Sequence, residues 1–226
     1  MSRLAVALLC AAFALPTLAN AEHREQIATA IAALDAANMD ERWRYTMELL
    51  IDGEKRVVTH DPNRGGYEVR QLESVDGEPP SDKERKDFLA EEKKRLDEQD
   101  PETNNYAYLV NLDSLQLEDT RGDVNVFSFA PRVKEFDEAD KLRGTLELNS
   151  ATGHLESLRI ENNGELSPAF SVSVSHYVLA FSFIDVENAR LLGDMVSEAR
   201  GKAGFLKSFD TNVEVTFGDY SPLSDN

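Results

Sequence analysis

The stretch Arg143-Gly144-Thr145-Leu146-Glu147-Leu148-Asn149-Ser150-Ala151-Thr152-Gly153-His154-Leu155-Glu156-Ser157-Leu158-Arg159-Ile160 decides how the rest of the chain is read. Leu146 and Leu148 alternate with Glu147, and Leu158 and Ile160 alternate with Arg159, so each half has one apolar and one wet face. The small polar residues between them, ending in Gly153, are turn chemistry. The two halves are therefore predicted to pair as an antiparallel hairpin over 144–148 and 154–161, with Leu146, Leu148, Leu158 and Ile160 facing a core.

The same period of two recurs outward from this hairpin. Towards the C-terminus, Phe170, Val172 and Val174 interleave with Ser171, Ser173 and Ser175. Leu179, Phe181 and Phe183 then share a face, and Val213, Val215 and Phe217 alternate with Asn212, Glu214 and Thr216. Towards the N-terminus, Leu115–Leu117 and Val124–Phe129 flank the turn Arg121-Gly122-Asp123. Further back, Trp43 to Leu49 turns at Asp52-Gly53 into Lys55 to Thr59, and a third strand, Tyr67 to Val75, ends before Pro79-Pro80. One wet face on every strand predicts an antiparallel sheet covered on one side, and so many strands in a row predict a curled sheet or sandwich.

Two helices are available as the cover. Ile27, Ile31 and Leu34 recur at helical spacing within an alanine-rich segment, 22–38. Ser81 and Glu84 form a capping box, which predicts a second helix from Asp82 to about Glu98. Residues 78–102 hold ten acids and six bases, and Phe88, Leu89 and Leu96 are the large apolar residues there. The second helix is thus a charged surface with a narrow burying stripe, predicted to dock loosely. No repeat and no Gly, Ser or Pro-rich linker divides the chain.

The first 21 of the 226 residues carry one charge, Arg3, an apolar run from Leu4 to Leu15, the breaker Pro16 and the small-residue site Ala19-Asn20-Ala21. This is the pattern of a secretory signal, and the run is too short to cross a bilayer, which takes roughly 20 residues. Leu9 before Cys10 does not fit a lipoprotein acceptor site. Cleavage after Ala21 removes that cysteine together with one base and no acid. The remaining 205 residues carry 23 bases against 42 acids, a net charge of −19. Such a surface repels phosphate backbones and anionic headgroups, so nucleic-acid binding and a polybasic anchor are excluded as defaults. Without cysteine, the mature chain has no disulfide, thiolate metal site or cysteine nucleophile.

Motifs for chemistry are sparse. His23, His60, His154 and His176 stand in no H-E-x-x-H context, and His154 with Glu156 supplies only two of the ligands a metal needs. The serines at 171, 173 and 175 lack a G-x-S-x-G elbow. Asp52-Gly53-Glu54 and Asp76-Gly77-Glu78 are turns without the further oxygens of a calcium loop. Gly65-Gly66 and Gly201-Lys202-Ala203-Gly204 lack phosphate-loop spacing. Acids are numerous enough to pair by coincidence, and the single Trp43 offers little platform for a sugar.

The order of elements carries a resemblance. A signal peptide, an amphipathic helix, Trp43 in the first strand, Val75-Asp76-Gly77-Glu78-Pro79-Pro80-Ser81 before a charged helix, the Arg143–Leu148 hairpin arm and a closing Phe217-Gly218-Asp219-Tyr220 resemble periplasmic proteins of the LolA-like superfamily, of the outer-membrane lipoprotein-sorting type. The resemblance implies a single domain over 22–226, mainly β in an α+β class. Its expected form is a strongly curved antiparallel sheet, an unclosed half-barrel whose apolar concave face is covered by the helices. It further implies a non-enzymatic periplasmic protein that holds a lipid or lipoprotein acyl chain, without catalytic residues, cofactor or metal. Phe127, Phe129, Phe181 and Phe183 are the expected lining of the apolar groove. No position matches the residue that gates the carrier's lid, so transfer of lipoprotein is not carried over. The alternative expectation is an envelope interaction or stress-sensing protein that acts through protein contacts on the charged helix. Neither reading involves nucleic acid or a membrane-spanning segment.

Overall fold

The computed structural model describes residues 15–98, 105–134, 136, 138–204 and 207–223. Cys10 and the expected leader up to residue 14 lie outside the described residues. The chain enters as α1 (Leu15–Ala37), passes through the single turn α2 (Met39–Arg42) and becomes extended at β1 (Trp43–Ile51). Asp52 and Gly53, at φ of 50° and 93°, turn β1 into β2 (Glu54–His60), which Asp-Gly does at low cost because glycine accepts the second positive φ. β3 (Arg70–Val75) follows a pair of short 3₁₀ turns that occupy the first part of the strand expected from Tyr67.

After Pro79-Pro80 comes α3 (Asp82–Glu98), at the predicted position. Its capping box is formed: the Ser81 N–H and Oγ donate to the Glu84 carboxylate at 2.7 and 2.6 Å, and the Glu84 N–H donates to Ser81 Oγ at 3.3 Å. The short α4 (Tyr106–Leu109) precedes β4 (Gln116–Arg121) and β5 (Val124–Phe129). The decisive hairpin is β6 (Leu142–Asn149) and β7 (Leu155–Asn162), and Leu146, Leu148, Leu158 and Ile160 are each 0% exposed. β8 (Leu166–Ala169) and three long strands close the chain: β9 (Val172–Val186), β10 (Ala189–Ala203) and β11 (Lys207–Pro222).

These strands form one antiparallel sheet of eleven, in the order β3-β2-β1-β11-β10-β9-β7-β6-β5-β4, with β8 paired to β9 off this path. The path does not return on itself, so the sheet is unclosed, as expected of a curved half-barrel. Its register aligns an apolar row across seven strands: Phe127, Leu146, Leu158, Phe181, Met195, Val215 and Leu49 are successive partners. A slip of one residue in any of these pairings would turn that strand's row to the wet face, which is how burial fixes the register.

Bulges explain where the simple alternation fails. Ser175 is an extra residue in β9 opposite Arg200 and Gly201, so the apolar parity moves from Val172 and Val174 to Tyr177, Leu179, Phe181 and Phe183. Gly193 is a second extra residue, in β10, and it breaks the pattern across Leu191-Leu192-Gly193-Asp194 that would have marked that strand. Phe170, read from the sequence as the first apolar residue of a strand, instead sits in the β8–β9 turn and is 93% exposed. Ser171 beside it adopts φ of 72°, so the backbone reverses there and the side chain leaves the sheet face.

Candidate functional site

α1 lies against β10 and β7 with Ile27, Ala30, Ile31 and Leu34 buried at 0–7% exposure, the face read from their spacing. The neighbouring face of the same helix presents the exposed Ala33 and Ala36, with Ala37 half-buried at the edge of the core. A groove of about 1140 Å³ runs beside this face. Its opposite wall is made by the β6–β7 turn at Thr152–Leu155, the β9–β10 turn at Asp185–Arg190, and Trp43 with Pro222 and Leu223. Trp43 is buried and meets the Tyr220 ring edge-on at 6.2 Å, which gives that end of the groove a fixed aromatic floor.

The charged side of the groove is organised by Arg190, whose side chain is 9% exposed. Its Nε–H donates to the Leu155 carbonyl at 3.2 Å, its Nη1 pairs with Asp185 at 3.1 Å, and its Nη2 pairs with Glu156. His154 Nδ1 pairs with the same Asp185 carboxylate at 3.1 Å. His154 and Glu156, the two potential metal ligands of the sequence, thus turn to different partners. Among the described residues no group of three or more His, Cys, Asp or Glu converges as a metal site would require.

The four expected groove residues are brought to the helix-covered side of the sheet, in one apolar cluster. Phe127, Phe129 and Phe183 are 2%, 3% and 4% exposed, and Phe181 is half-buried against them. The chain itself occupies the space in front of them. Tyr106 of α4 packs edge-on against Phe181 and Phe183 at 5.5 and 5.2 Å, His23 of α1 meets Phe127 at 5.2 Å, and the Phe129 ring covers Gly144 of the adjacent strand. Asp35 of α1 holds this cover in place by accepting from the Tyr106 N–H at 3.1 Å. Burial raises the Asp35 carboxyl above its ordinary value, opposed by the backbone donors of Tyr106 and Ala107. The open groove is lined by none of the four phenylalanines.

A second cluster of ionisable groups lies beneath α3. Glu92 of α3 is 7% exposed and is gripped by Arg95 at 2.9 Å, with Arg70 of β3 at 3.9 Å. Arg70 also approaches Asp40 at 3.8 Å, and the Tyr45 hydroxyl donates to Asp40 at 2.5 Å. His60, 2% exposed, stacks on Tyr45 at 4.4 Å; its Nε2–H donates to the Asp40 carbonyl at 2.8 Å, while Nδ1 has no partner among the described residues. Burial lowers the His60 pKa, and Arg70 and Arg95 act in the same direction. At the rim of α3, Arg56 reaches Glu91 at 3.4 Å and the Tyr67 hydroxyl donates to Asp97 at 3.2 Å.

Comparison of the chain with family models, with curated proteins and with solved structures finds no match in any of the three.

Proposed function

We propose that this chain is a non-enzymatic periplasmic binding protein of the LolA-like kind, exported by a cleaved signal peptide, that takes the acyl chain of a lipid or lipoprotein into the groove beside α1. The observation that carries the reading is the groove itself: about 1140 Å³ of open space against an alanine face, Leu155 and Trp43. An acyl chain entering it gains roughly 0.8 kcal/mol per methylene removed from water. The lining mixes this apolar surface with polar and charged groups such as Arg190 and Asp185, and pockets for organic ligands use such convergent groups to orient what they bind. A ligand would reach Phe181 and Phe183 only if α4 withdrew Tyr106. The absence of nucleophile, base and metal spacing from the sequence supports binding without turnover.

Displacement of a fluorescent fatty acid from delipidated protein tests this. Ala33 and Ala36 are exposed on α1, so Ala36→Phe fills the groove without touching the core. The expected result is saturable binding that Ala36→Phe weakens at least about tenfold, with the unfolding transition unmoved. Equal binding by both proteins, or none by either, overturns the proposal. The interaction-protein reading retains one observation of its own, Leu89, 43% exposed among the charges of α3. Loss of an envelope-protein contact on Leu89→Lys, with lipid binding absent from the native protein, would transfer the function to that helix.

A further inference from the structure

The three long strands run past their neighbours. β7 leaves β9 at the pair Glu161 and Val178, and β1 leaves β11 at Ile51 and Val213, yet β9, β10 and β11 stay paired to one another as far as Val172, Ala203 and Lys207. Residues 172–177, 199–203 and 207–212 therefore form a ribbon that extends about 20 Å past β7 and β1 at the rise of a strand, with β8 along one side. The β8–β9 turn at its end carries Phe170, 93% exposed. That turn is tied to the next one, because the Gly204 N–H donates to the Ser171 carbonyl at 2.9 Å. Phe170 and Lys202 line one shallow groove of about 400 Å³, together with Ser167, Ser171 and Ser173. Lys207 is the cross-strand partner of Ala203, the residue after Lys202, and both lysines are exposed.

The charge of this end is opposite to that of the molecule. Residues 166–175 and 199–209 hold three bases, Arg200, Lys202 and Lys207, and no acid, whereas the rest of the chain after residue 21 carries 20 bases against 42 acids. Arg200 is taken up by Asp210 at 2.9 Å and Glu198 at 3.8 Å. Among the described residues Lys202 and Lys207 make no ion pair. Glu138, which accepts from the Ser167 N–H, is paired with Lys141 at 2.5 Å, and Glu198 faces His176 at 2.8 Å. Glu165 lies just before β8, at the end of that strand away from Phe170, and its carbonyl accepts from Lys141 Nζ at 2.8 Å. The free charge beside Phe170 is thus positive.

Area decides what such an end can meet. A stable protein interface takes about 800 Å² from each partner, more than one ring and two lysines at a turn present. A second copy would bring the same positive charge to the contact. A bilayer, by contrast, accepts a single projecting ring at the level of its headgroups, and anionic headgroups attract each lysine. We infer that the end of this ribbon docks the protein on an anionic phospholipid bilayer, with the Phe170 ring below the headgroups and Lys202 and Lys207 on their phosphates. The acidic body is repelled by the same surface, so the molecule meets it end-on. The groove beside α1 lies by the β9–β10 turn, at the other end of β9, and docking does not rest on the acyl-chain reading.

Sedimentation with vesicles tests the inference. The protein should bind vesicles of phosphatidylcholine with about 30% phosphatidylglycerol at least about tenfold more tightly than phosphatidylcholine alone, since each lysine near an anionic surface accounts for about fivefold. That preference should vanish in about 1 M salt, where the screening length is about 3 Å, and in the double variant Lys202→Gln/Lys207→Gln. Phe170→Ser should weaken binding to the anionic vesicles about tenfold, with the unfolding transition unmoved. In Phe170→Trp the added indole should be quenched by brominated acyl chains, while the buried Trp43 is not. Ala36→Phe, which fills the groove, should bind vesicles as the native protein does. No binding to the anionic vesicles, binding indifferent to Phe170 and the two lysines, or an added indole that bromine does not quench overturns the inference. Loss of vesicle binding in Ala36→Phe also overturns it, because the lipid contact would then belong to the groove. Vesicle binding of the expected pattern without displacement of a fatty acid supports the docking site and removes the acyl-chain reading.

Discussion

Gly144 shows how one residue position can settle what a neighbouring aromatic is for. It is the cross-strand partner of Phe129, and a Cβ built on it would lie 2.3 Å from the Phe129 ring. The outer end of the ring fills the space that glycine leaves, and Phe129 is 3% exposed, so it has little room to move away. Gly144→Ala is expected to cost about 1–3 kcal/mol by overpacking, and Phe129→Leu about as much by loss of contact. The double variant should cost less than the sum, because the smaller side chain relieves the clash. Urea unfolding of the three variants checks this; strict additivity would mean that the two positions do not touch. Phe129 is thereby committed to packing, a role its place in an alternating strand left open. The site beside α1 was legible only in part. Ile27, Ile31 and Leu34 announced a buried face, but alanine reads as helix propensity, and nothing in Ala33 and Ala36 says that they line an open groove. The pairing of Arg190 with Glu156 joins two turns 34 residues apart in sequence and had no local signal.

Among the elements, α3 is the one held by charge more than by apolar area. Phe88 is its contact to the core, while Glu92, Glu91 and Asp97 bind it to Arg70, Arg56 and Tyr67. His60 sits at the base of this arrangement, with Asp40 of α2, Tyr45 of β1, Arg70 of β3, and Glu92 and Arg95 of α3 around it. Its folded pKa is lowered, so the unfolded chain takes up the proton first as pH falls, and stability is lost below the ordinary histidine value of about 6.5. A charged His60 would have an unpartnered Nδ1–H in a buried site beside two guanidinium groups. Trypsin, which has several Lys and Arg targets in α3, is expected to cut there faster at about pH 5.5 than its own pH dependence explains. His60→Gln should remove that extra sensitivity while lowering stability at about pH 7.5, where the native ring packs on Tyr45. Unchanged acid sensitivity in the variant would assign the effect to the carboxylates. The capping box and the sparse apolar positions made α3 readable almost to the residue. β10, by contrast, escaped the sequence reading because the bulge at Gly193 interrupts its period.

On the scale of the whole molecule, the strand order divides the sheet unevenly. β4 to β7 and β9 to β11 follow one another as a meander interrupted only by β8, whereas β1, β2 and β3 join the far side through β1 and β11, with Leu49 opposite Val215. The antiparallel, one-sided character of the sheet was visible in the alternation, but this closing contact was not, because no short-range pattern marks partners so distant in sequence. Such pairing forms late, since the loop between the strands must be ordered before the contact returns any free energy. The N-terminal block is then a unit that can open on its own. Amide hydrogen exchange is expected to be slowest in β6, β7 and β9, which have neighbours on both sides and hold Leu146, Leu148, Leu158 and Ile160 at 0% and Val178 at 1% exposure, and fastest in β4, whose six residues are all exposed at the sheet edge. β1, β2 and β3 should exchange together at an intermediate rate. Val215 is the residue to probe, because it is 4% exposed and contacts both Leu49 and Met195 in the apolar row. Val215→Ala should accelerate exchange in β1 to β3 more than in β6 and β7, since the cavity lies at the seam between the blocks. Acceleration of equal size in every strand would instead mean that the eleven strands open as one cooperative unit.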